Sequence, residues 1–223
     1  MSKKFIIDDI HNYIKTIKTD SIDFIYTNPP FGTTQKKWDQ PLEWNVLFPE
    51  MWRILKPTGV IALHSSMPFT YDLIRIEKPK YHYTWKKKNP TNPLLCKKQP
   101  LRNIEEILIF YKKQPTYNIQ MIGDEEISYN RTNKYEGYYG NQTPNSSKQK
   151  GKYPTTYLGE FPRIIQKKSP KSINDEITEK MIKTYSNEND IILDMTCCDK
   201  SNGIICEKLN RNYIGVDISD EFF

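Results

Sequence analysis

The sequence predicts an α/β fold: a mixed, mostly parallel sheet with helices on both faces. Three observations carry that prediction. Short apolar strings alternate with helical patterns along most of the chain, as strand–helix units require. Several of those strings stop on a polar residue, namely Asp8 and Asp9, Asn28, His64, Asp194 and Asp217. The 223 residues are 37% hydrophobic and 13% aromatic, enough for a core and too aromatic for a disordered chain.

The elements follow in order. Phe5-Ile6-Ile7 reads as a strand ending at Asp8 and Asp9, with a helix near His11 to Ile17. Asp23-Phe24-Ile25-Tyr26-Thr27 is the second strand. It must end at Asn28-Pro29-Pro30-Phe31-Gly32, because proline lacks the amide a ladder needs and two together make a rigid loop. A helix from about Leu42 to Leu55 shows apolar residues at helical spacing and is stopped by Lys56-Pro57-Thr58-Gly59. Val60 to His64 is a third strand, and Pro68 to about Ile76 a helix. Tyr81 to Lys87 and Glu105 to Tyr111 are two further strands, joined by a basic loop carrying Lys97, Lys98 and Arg102. From about Lys113 to Phe161 the apolar period gives way to Tyr, Asn, Thr, Lys and Gly, which marks an insert. The chain then resumes with a helix (Asp175 to Tyr185), a strand closed by Asp194, a helix (Gly203 to Leu209) and a strand closed by Asp217.

Thirty-three Lys and Arg against 27 Asp and Glu give a formal charge of +6, which suits a nucleic-acid partner and equally a solvated lysine face. Cys96, Cys197, Cys198 and Cys206 include no pair of short-spaced couples. Neither a zinc ribbon nor a disulfide framework is expected, so no metal site is expected and the compartment is expected to be reducing and cytoplasmic. Nowhere do 18 apolar residues run together, and Met1-Ser-Lys-Lys leads into only a few apolar residues, so neither a membrane span nor a secretion signal is expected.

In open, mostly parallel sheets ligands bind beyond the carboxyl ends of the strands, which focuses attention on the polar strand ends. Any one Asp there is also a favoured helix cap. Asp217, however, follows Asp194 at roughly the 20-residue spacing at which such folds place a ribose-binding acid. The parts of the Asn28-Pro29-Pro30-Phe31 tetrapeptide fit the capture of a planar base. The Asn28 carboxamide oxygen and the Pro29 carbonyl can accept hydrogens from a planar amino group, and Phe31 offers a ring on which a base can stack. Held between two acceptors, the amine nitrogen can turn its lone pair toward an electrophilic methyl. A proline-rich turn with no such role fits the tetrapeptide alone equally well.

The run from Ser21 to Thr34, with Trp38-Asp39 after it, resembles the catalytic strand and loop of the S-adenosylmethionine-dependent DNA amino-methyltransferases in their circularly permuted β class, specifically a phage-like subgroup. Further segments match that subgroup in order: Ser65-Ser66-Met67-Pro68-Phe69-Thr70, Lys98-Gln99-Pro100-Leu101-Arg102 with Glu105 to Tyr111, Gln114-Pro115-Thr116-Tyr117-Asn118, and Tyr153-Pro154-Thr155. The resemblance covers essentially the whole chain. It implies a Rossmann-like methyltransferase fold, S-adenosylmethionine as cofactor and double-stranded DNA as partner, with Asn28, Pro29, Pro30 and Phe31 gripping a flipped base. Asn and Phe at the tetrapeptide ends tilt the reading toward adenine N6 over cytosine N4. By the same resemblance Asp9 would lie near the cofactor's adenine, Asp217 at its ribose, and Asp194 with Thr196, Cys198 and Lys200 at the cofactor turn. The implied organisation is a catalytic part over 1–112, a target-recognition-like insert over 113–165 and a cofactor part over 166–223. Lys97, Lys98, Arg102, Lys134, Lys148, Lys150 and Lys152 would meet DNA phosphates.

Three departures accompany the match. Cys198 and Lys200 stand where the family has two turn glycines, at a cost of about 1–3 kcal/mol each if the backbone keeps a glycine conformation. Lys200 would compensate if its charge reached the cofactor carboxylate in place of backbone donors. Ser169-Pro170-Lys171-Ser172-Ile173-Asn174 keeps only the proline of the family's pattern, and the chain ends at Phe222-Phe223, where relatives continue into a covering helix; an exposed pair there would allow a homodimer. Two readings follow: a DNA adenine-N6 methyltransferase, with cytosine-N4 transfer as its variant, or a non-catalytic DNA-binding relative.

Overall fold

Residues 2–91, 93–130, 146–161 and 175–219 are described by the structure, a computed structural model. In chain order they form β1 (Lys3–Ile7), α1 (Ile10–Thr16), β2 (Ile22–Thr27), α2 (Trp44–Ile54), β3 (Leu55–Ser65), α3 (Phe69–Ile76), β4 (Tyr81–Thr91), β5 (Arg102–Phe110), β6 (Ile122–Asn130), β7 (Ser146–Lys152), β8 (Tyr157–Phe161), α4 (Asp175–Tyr185), β9 (Ile191–Asp194), α5 (Ser201–Lys208) and β10 (Asn212–Asp217). Lys134, the Ser169–Asn174 segment and Phe222-Phe223 lie outside the described residues.

Two compact units are present. The larger comprises Met1–Asn118 with Thr156–Phe223 and holds an eight-stranded sheet in the order β1-β10-β9-β2-β3-β5-β4-β8. The first four pairings, from β1 through to β3, are parallel, β5 runs antiparallel to both β3 and β4, and β8 lies parallel to β4. The smaller unit, Ile119–Thr155, contains the antiparallel pair β6 and β7.

Alternation along the apolar strands builds two cores, since successive side chains point to opposite faces. Ile25, Ile61, Leu63, Leu108, Phe110 and Leu193 pack on one face against Ile10 and Ile14 of α1, Leu47, Phe48 and Met51 of α2, and Phe69 and Leu73 of α3. Phe24, Tyr26, Val60, Ala62, Ile107, Ile109 and Ile192 pack on the other against Ile177 and Met181 of α4 and Ile205 and Cys206 of α5.

The strand order also locates the site. From β9 the chain passes through α5 outward to β10, and from β2 through α2 to β3 on the opposite side. The order therefore reverses between β9 and β2, and a crevice opens beyond the carboxyl ends of two strands whose connections diverge. Those ends are Asp194 and Thr27.

The element boundaries differ from the sequence expectations in informative ways. α2 ends at Ile54, just before the Lys56-Pro57-Thr58-Gly59 read as its stop, but β3 starts at Leu55 and not at Val60; a Cβ at Gly59 would stand 2.6 Å from Leu55 Cγ and 2.9 Å from the Asp23 carbonyl oxygen, so glycine suits the close passage there. The expected 113–165 insert contains the β6–β7 pair, yet β8 within that span joins the main sheet through β4 and buries Leu158. With Gly159 and Glu160 in its five residues, β8 lacks the consecutive apolar run that marked the other short strands. None of the described helices is long and apolar enough to cross a membrane.

Candidate active site

β2 runs buried from Phe24 to Thr27 and then meets Pro29 and Pro30, so its ladder stops and the next residues are held as a loop at the crevice. The loop is braced from behind by Asp39, which is 1% exposed. Its carboxylate accepts from the amides of Gly32 (3.0 Å), Thr33 (3.0 Å) and Thr34 (2.7 Å) and from the Thr34 hydroxyl (2.7 Å). Phe31 anchors the loop from the other side: it is 8% exposed, with its ring stacked on Phe69 at 5.3 Å and 21°.

Asp194, at the end of β9, is 1% exposed and sits at the centre of a hydrogen-bond network. Its Oδ1 accepts from the Thr27 hydroxyl at 2.8 Å and the Thr196 amide at 3.3 Å. Its Oδ2 accepts from Asn202 Nδ2 at 2.8 Å and the Tyr213 hydroxyl at 3.0 Å. Burial pushes the carboxyl up from its ordinary value, and the donors from Asn202, Thr27, Thr196 and Tyr213 oppose that push. The network continues from Asn202 Oδ1 to the Thr178 hydroxyl (3.2 Å) and from Thr178 to the Tyr26 hydroxyl (3.3 Å). Tyr213 reaches Asp194 because its ring lies where a Cβ on Gly215 would stand, 2.7 Å from Tyr213 Cε1.

The turn after β9 is left-handed at two non-glycine residues, Cys198 (φ 48°) and Lys200 (φ 63°). These are the two positions at which the resemblance leads us to expect glycine, and a positive φ is the conformation that glycine adopts most readily. Asp217 supports the turn by accepting from the Cys198 amide at 2.9 Å. At the end of β1, Asp9 caps α1 through the His11 amide (2.8 Å) and also meets His11 Nδ1 (2.7 Å). The Glu43 amide donates to His11 Nε2 at 3.2 Å, which links the first turn of α1 to the start of α2. The backbone and ring donors of His11 hold the Asp9 carboxyl below its ordinary value.

These strand ends surround a cavity of about 320 Å³. Of the residues singled out in sequence, Asp9, Asn28, Pro30, Thr196, Cys198 and Asp217 line it. Pro29, Phe31, Asp194 and Lys200 do not. Pro29 and Phe31 are buried in the loop's own packing, and Asp194 spends its carboxylate on the network beneath the turn. The Lys200 ammonium lies 4.9 Å from the centroid of the Phe5 ring, a cation–π arrangement, and this geometry does not provide the carboxylate contact expected of it. Two buried acceptors in the cavity have no hydrogen-bond partner among the described residues: Asn28 Oδ1 and Asp199 Oδ2. Unsatisfied buried acceptors are rare and costly, so both mark places where a donor belongs.

The sequence model of the DNA methylase family matches residues 22–223. The chain belongs to the N6/N4 DNA methylase family. It is 26% identical to the type II methyltransferase M.HpaI of Haemophilus parainfluenzae, an alignment covering 100% of this chain and 72% of that protein. It is 24% identical to the type II methyltransferase M2.LlaDCHI of Lactococcus lactis subsp. cremoris, covering 96% and 84%. Two solved structures share its fold: an M1.HpyAVI–SAM complex (TM-score 0.66, 21% identity, covering 99% of this chain and 95% of that one) and the cytosine-N4-specific PvuII DNA methyltransferase (TM-score 0.71, 14% identity, 100% and 84%).

In this methylase the proline loop precedes the Asp194 turn in chain order, the permuted arrangement expected from sequence. Asp199, Ser201 and Asn202 also line the cavity and were not singled out in sequence, as do Asp8, noted there only as a strand end, and Trp38, noted only in the loop resemblance. Asp8 and Asp199 carry a readable signal, an acid beside a strand end or in the turn, whereas Asn202 becomes visible only once α5 is seen to start at Ser201. Of the basic residues, Lys97 and Lys98 are exposed in the loop between β4 and β5, and the half-buried Arg102 donates to the Met67 carbonyl. Lys148, Lys150 and Lys152 are exposed on β7, and Lys148 and Lys150, two apart, share one face of the pair with β6. Cys197 and Cys206 are buried, which pushes both thiols up.

Proposed function

We propose that this methylase transfers a methyl group from S-adenosylmethionine to the exocyclic N6 amine of adenine at specific sites in double-stranded DNA. The observation that carries the reading is Asn28 Oδ1, a buried acceptor without a partner among the described residues, in the cavity at the switch point of the sheet.

The cavity residues fit the cofactor. The carboxylates of Asp8, Asp9, Asp199 and Asp217 line the cavity, with Lys37 the one Lys or Arg beside them among the described residues, a lining suited to a ligand that carries positive charge and hydroxyl and amine donors. Asp217 would take the ribose hydroxyls, since a carboxylate has about four acceptor sites and, among the described residues, this one receives the Cys198 and Ser219 amides. Asp9 would lie at the adenine. When bound, S-adenosylmethionine supplies an electrophilic methyl on a sulfonium. Asn28 Oδ1 and the Pro29 carbonyl would hold the two hydrogens of the target amine, which fixes the direction of its lone pair without a protein nucleophile. A base platform at Phe31 requires the stack with Phe69 to open, because the ring is 8% exposed as it stands. Lys97, Lys98, Arg102, Lys148, Lys150 and Lys152 would supply phosphate contacts, each alanine substitution lowering the salt slope of DNA binding by about 1.

The competing reading, a relative that binds DNA without transferring methyl groups, is favoured by the left-handed Cys198 and Lys200 in the cofactor turn. One experiment separates the readings. Purified protein is incubated with mixed duplex DNA and methyl-labelled donor, and the DNA is digested to nucleosides. Label in N6-methyldeoxyadenosine is expected, and Asn28→Ala should reduce it by about 10²-fold or more. Label in N4-methyldeoxycytidine would move the target to cytosine. DNA binding with no transfer would leave the non-catalytic relative standing.

A further inference from the structure

The second unpartnered acceptor in the cavity is not accounted for by a target amine held at Asn28. Asp199 lies between the two left-handed residues of the cofactor turn, Cys198 and Lys200, and lines the cavity beside Ser201 and Asn202. Its Oδ1 accepts from the Ser201 amide at 3.1 Å, a local turn bond that explains one oxygen. Its Oδ2 is buried, and among the described residues neither a donor nor a cation pairs with it. A carboxylate oxygen held away from water in this way calls for a partner that brings both positive charge and an N–H. A sulfonium brings charge without a hydrogen, and the hydroxyls and amines of a nucleoside bring hydrogens without charge. A primary ammonium brings both.

We propose that Asp199 receives the α-ammonium of the methyl donor's amino-acid end. The inference rests on the methyltransferase reading above and adds to it a binding residue. It also gives a physical account of a turn that has lost its glycines: a charged side chain replaces recognition by bare backbone.

The test is calorimetric titration of the unmodified protein and of Asp199→Asn, which keeps an acceptor for the Ser201 amide and removes the charge. Three ligands are used: S-adenosylmethionine (ammonium and sulfonium), S-adenosylhomocysteine (ammonium, no sulfonium) and 5′-deoxy-5′-methylthioadenosine (neither). The expected result is a loss of about tenfold or more in affinity for the first two and no change for the third. A loss confined to S-adenosylmethionine would show attraction to the sulfonium and overturn the proposal. Equal losses for all three would make Asp199 a shaper of the turn, and no loss for any would make it a bystander; either overturns the proposal while the cofactor reading survives. Binding of none of the three by the unmodified protein would overturn that reading and this inference together. Should Asp199→Asn fail to fold, Asp199→Ser carries the same titrations.

Discussion

The Thr196 hydroxyl donates to the backbone carbonyl of Asn28 at 3.2 Å and lies 2.9 Å from the Thr27 hydroxyl. This ties the turn after β9 to the loop after β2, the two strand ends between which the sheet reverses its order. Thr196→Val keeps the shape and removes the tie. Its cost in stability should be about 1 kcal/mol, read from urea unfolding. Methyl transfer should fall by more than the affinity for S-adenosylmethionine does, because Asn28 would lose its alignment while the cavity keeps its acids.

The left-handed turn makes a prediction of opposite sign. Cys198 and Lys200 hold φ values of 48° and 63°, which glycine adopts without a Cβ clash. Cys198→Gly and Lys200→Gly should each leave stability unchanged or raise it by up to about 1 kcal/mol, because relief of backbone strain offsets the extra freedom of the unfolded chain. A β-branched residue at Cys198 should destabilise by about 1–3 kcal/mol. Thermal unfolding of the three variants checks the order.

Asp194 receives two donors on each oxygen. In Asp194→Asn an NH₂ must face one pair of those donors whichever way the amide turns, so the isosteric change should cost about 1–3 kcal/mol despite removing a buried charge. Tyr213→Phe, which removes a single donor, should cost about 1 kcal/mol. If Asp194→Asn were neutral in denaturant unfolding, the carboxyl would be protonated in the fold.

The pH dependence near β1 follows from Asp9. Its carboxyl is held below the ordinary 3.8, first by the His11 amide and then by the His11 ring. The deprotonated form is favoured in the fold, so this contribution is present above the unfolded value and disappears as pH falls through the lowered one. His11→Ala removes the ring donor, so acid unfolding should begin at higher pH. The change should stay under about 1 kcal/mol, because the Asp9 side chain is 53% exposed.

Much of the fold was legible along the chain because its signals are local. Alternating apolar strings marked β2, β3 and β5, and the two prolines after Thr27 placed the loop at a strand end. The acids closing β9 and β10 pointed to the crevice. β8 was not legible, since Gly159 and Glu160 interrupt its apolar residues and its place beside β4 is a long-range pairing.

Local sequence also pointed to the polar and acidic residues at the strand ends, because each is a matter of which side chain stands at which strand end. Direction and burial belong to the tertiary structure alone. Packing decided that Phe31 stacks on Phe69, that Lys200 turns to Phe5, and that Asp194 is enclosed by Thr27, Thr196, Asn202 and Tyr213. It also left Asn28 Oδ1 and Asp199 Oδ2 without a hydrogen-bond partner among the described residues, since whether a polar atom has a partner depends on groups brought together from across the chain.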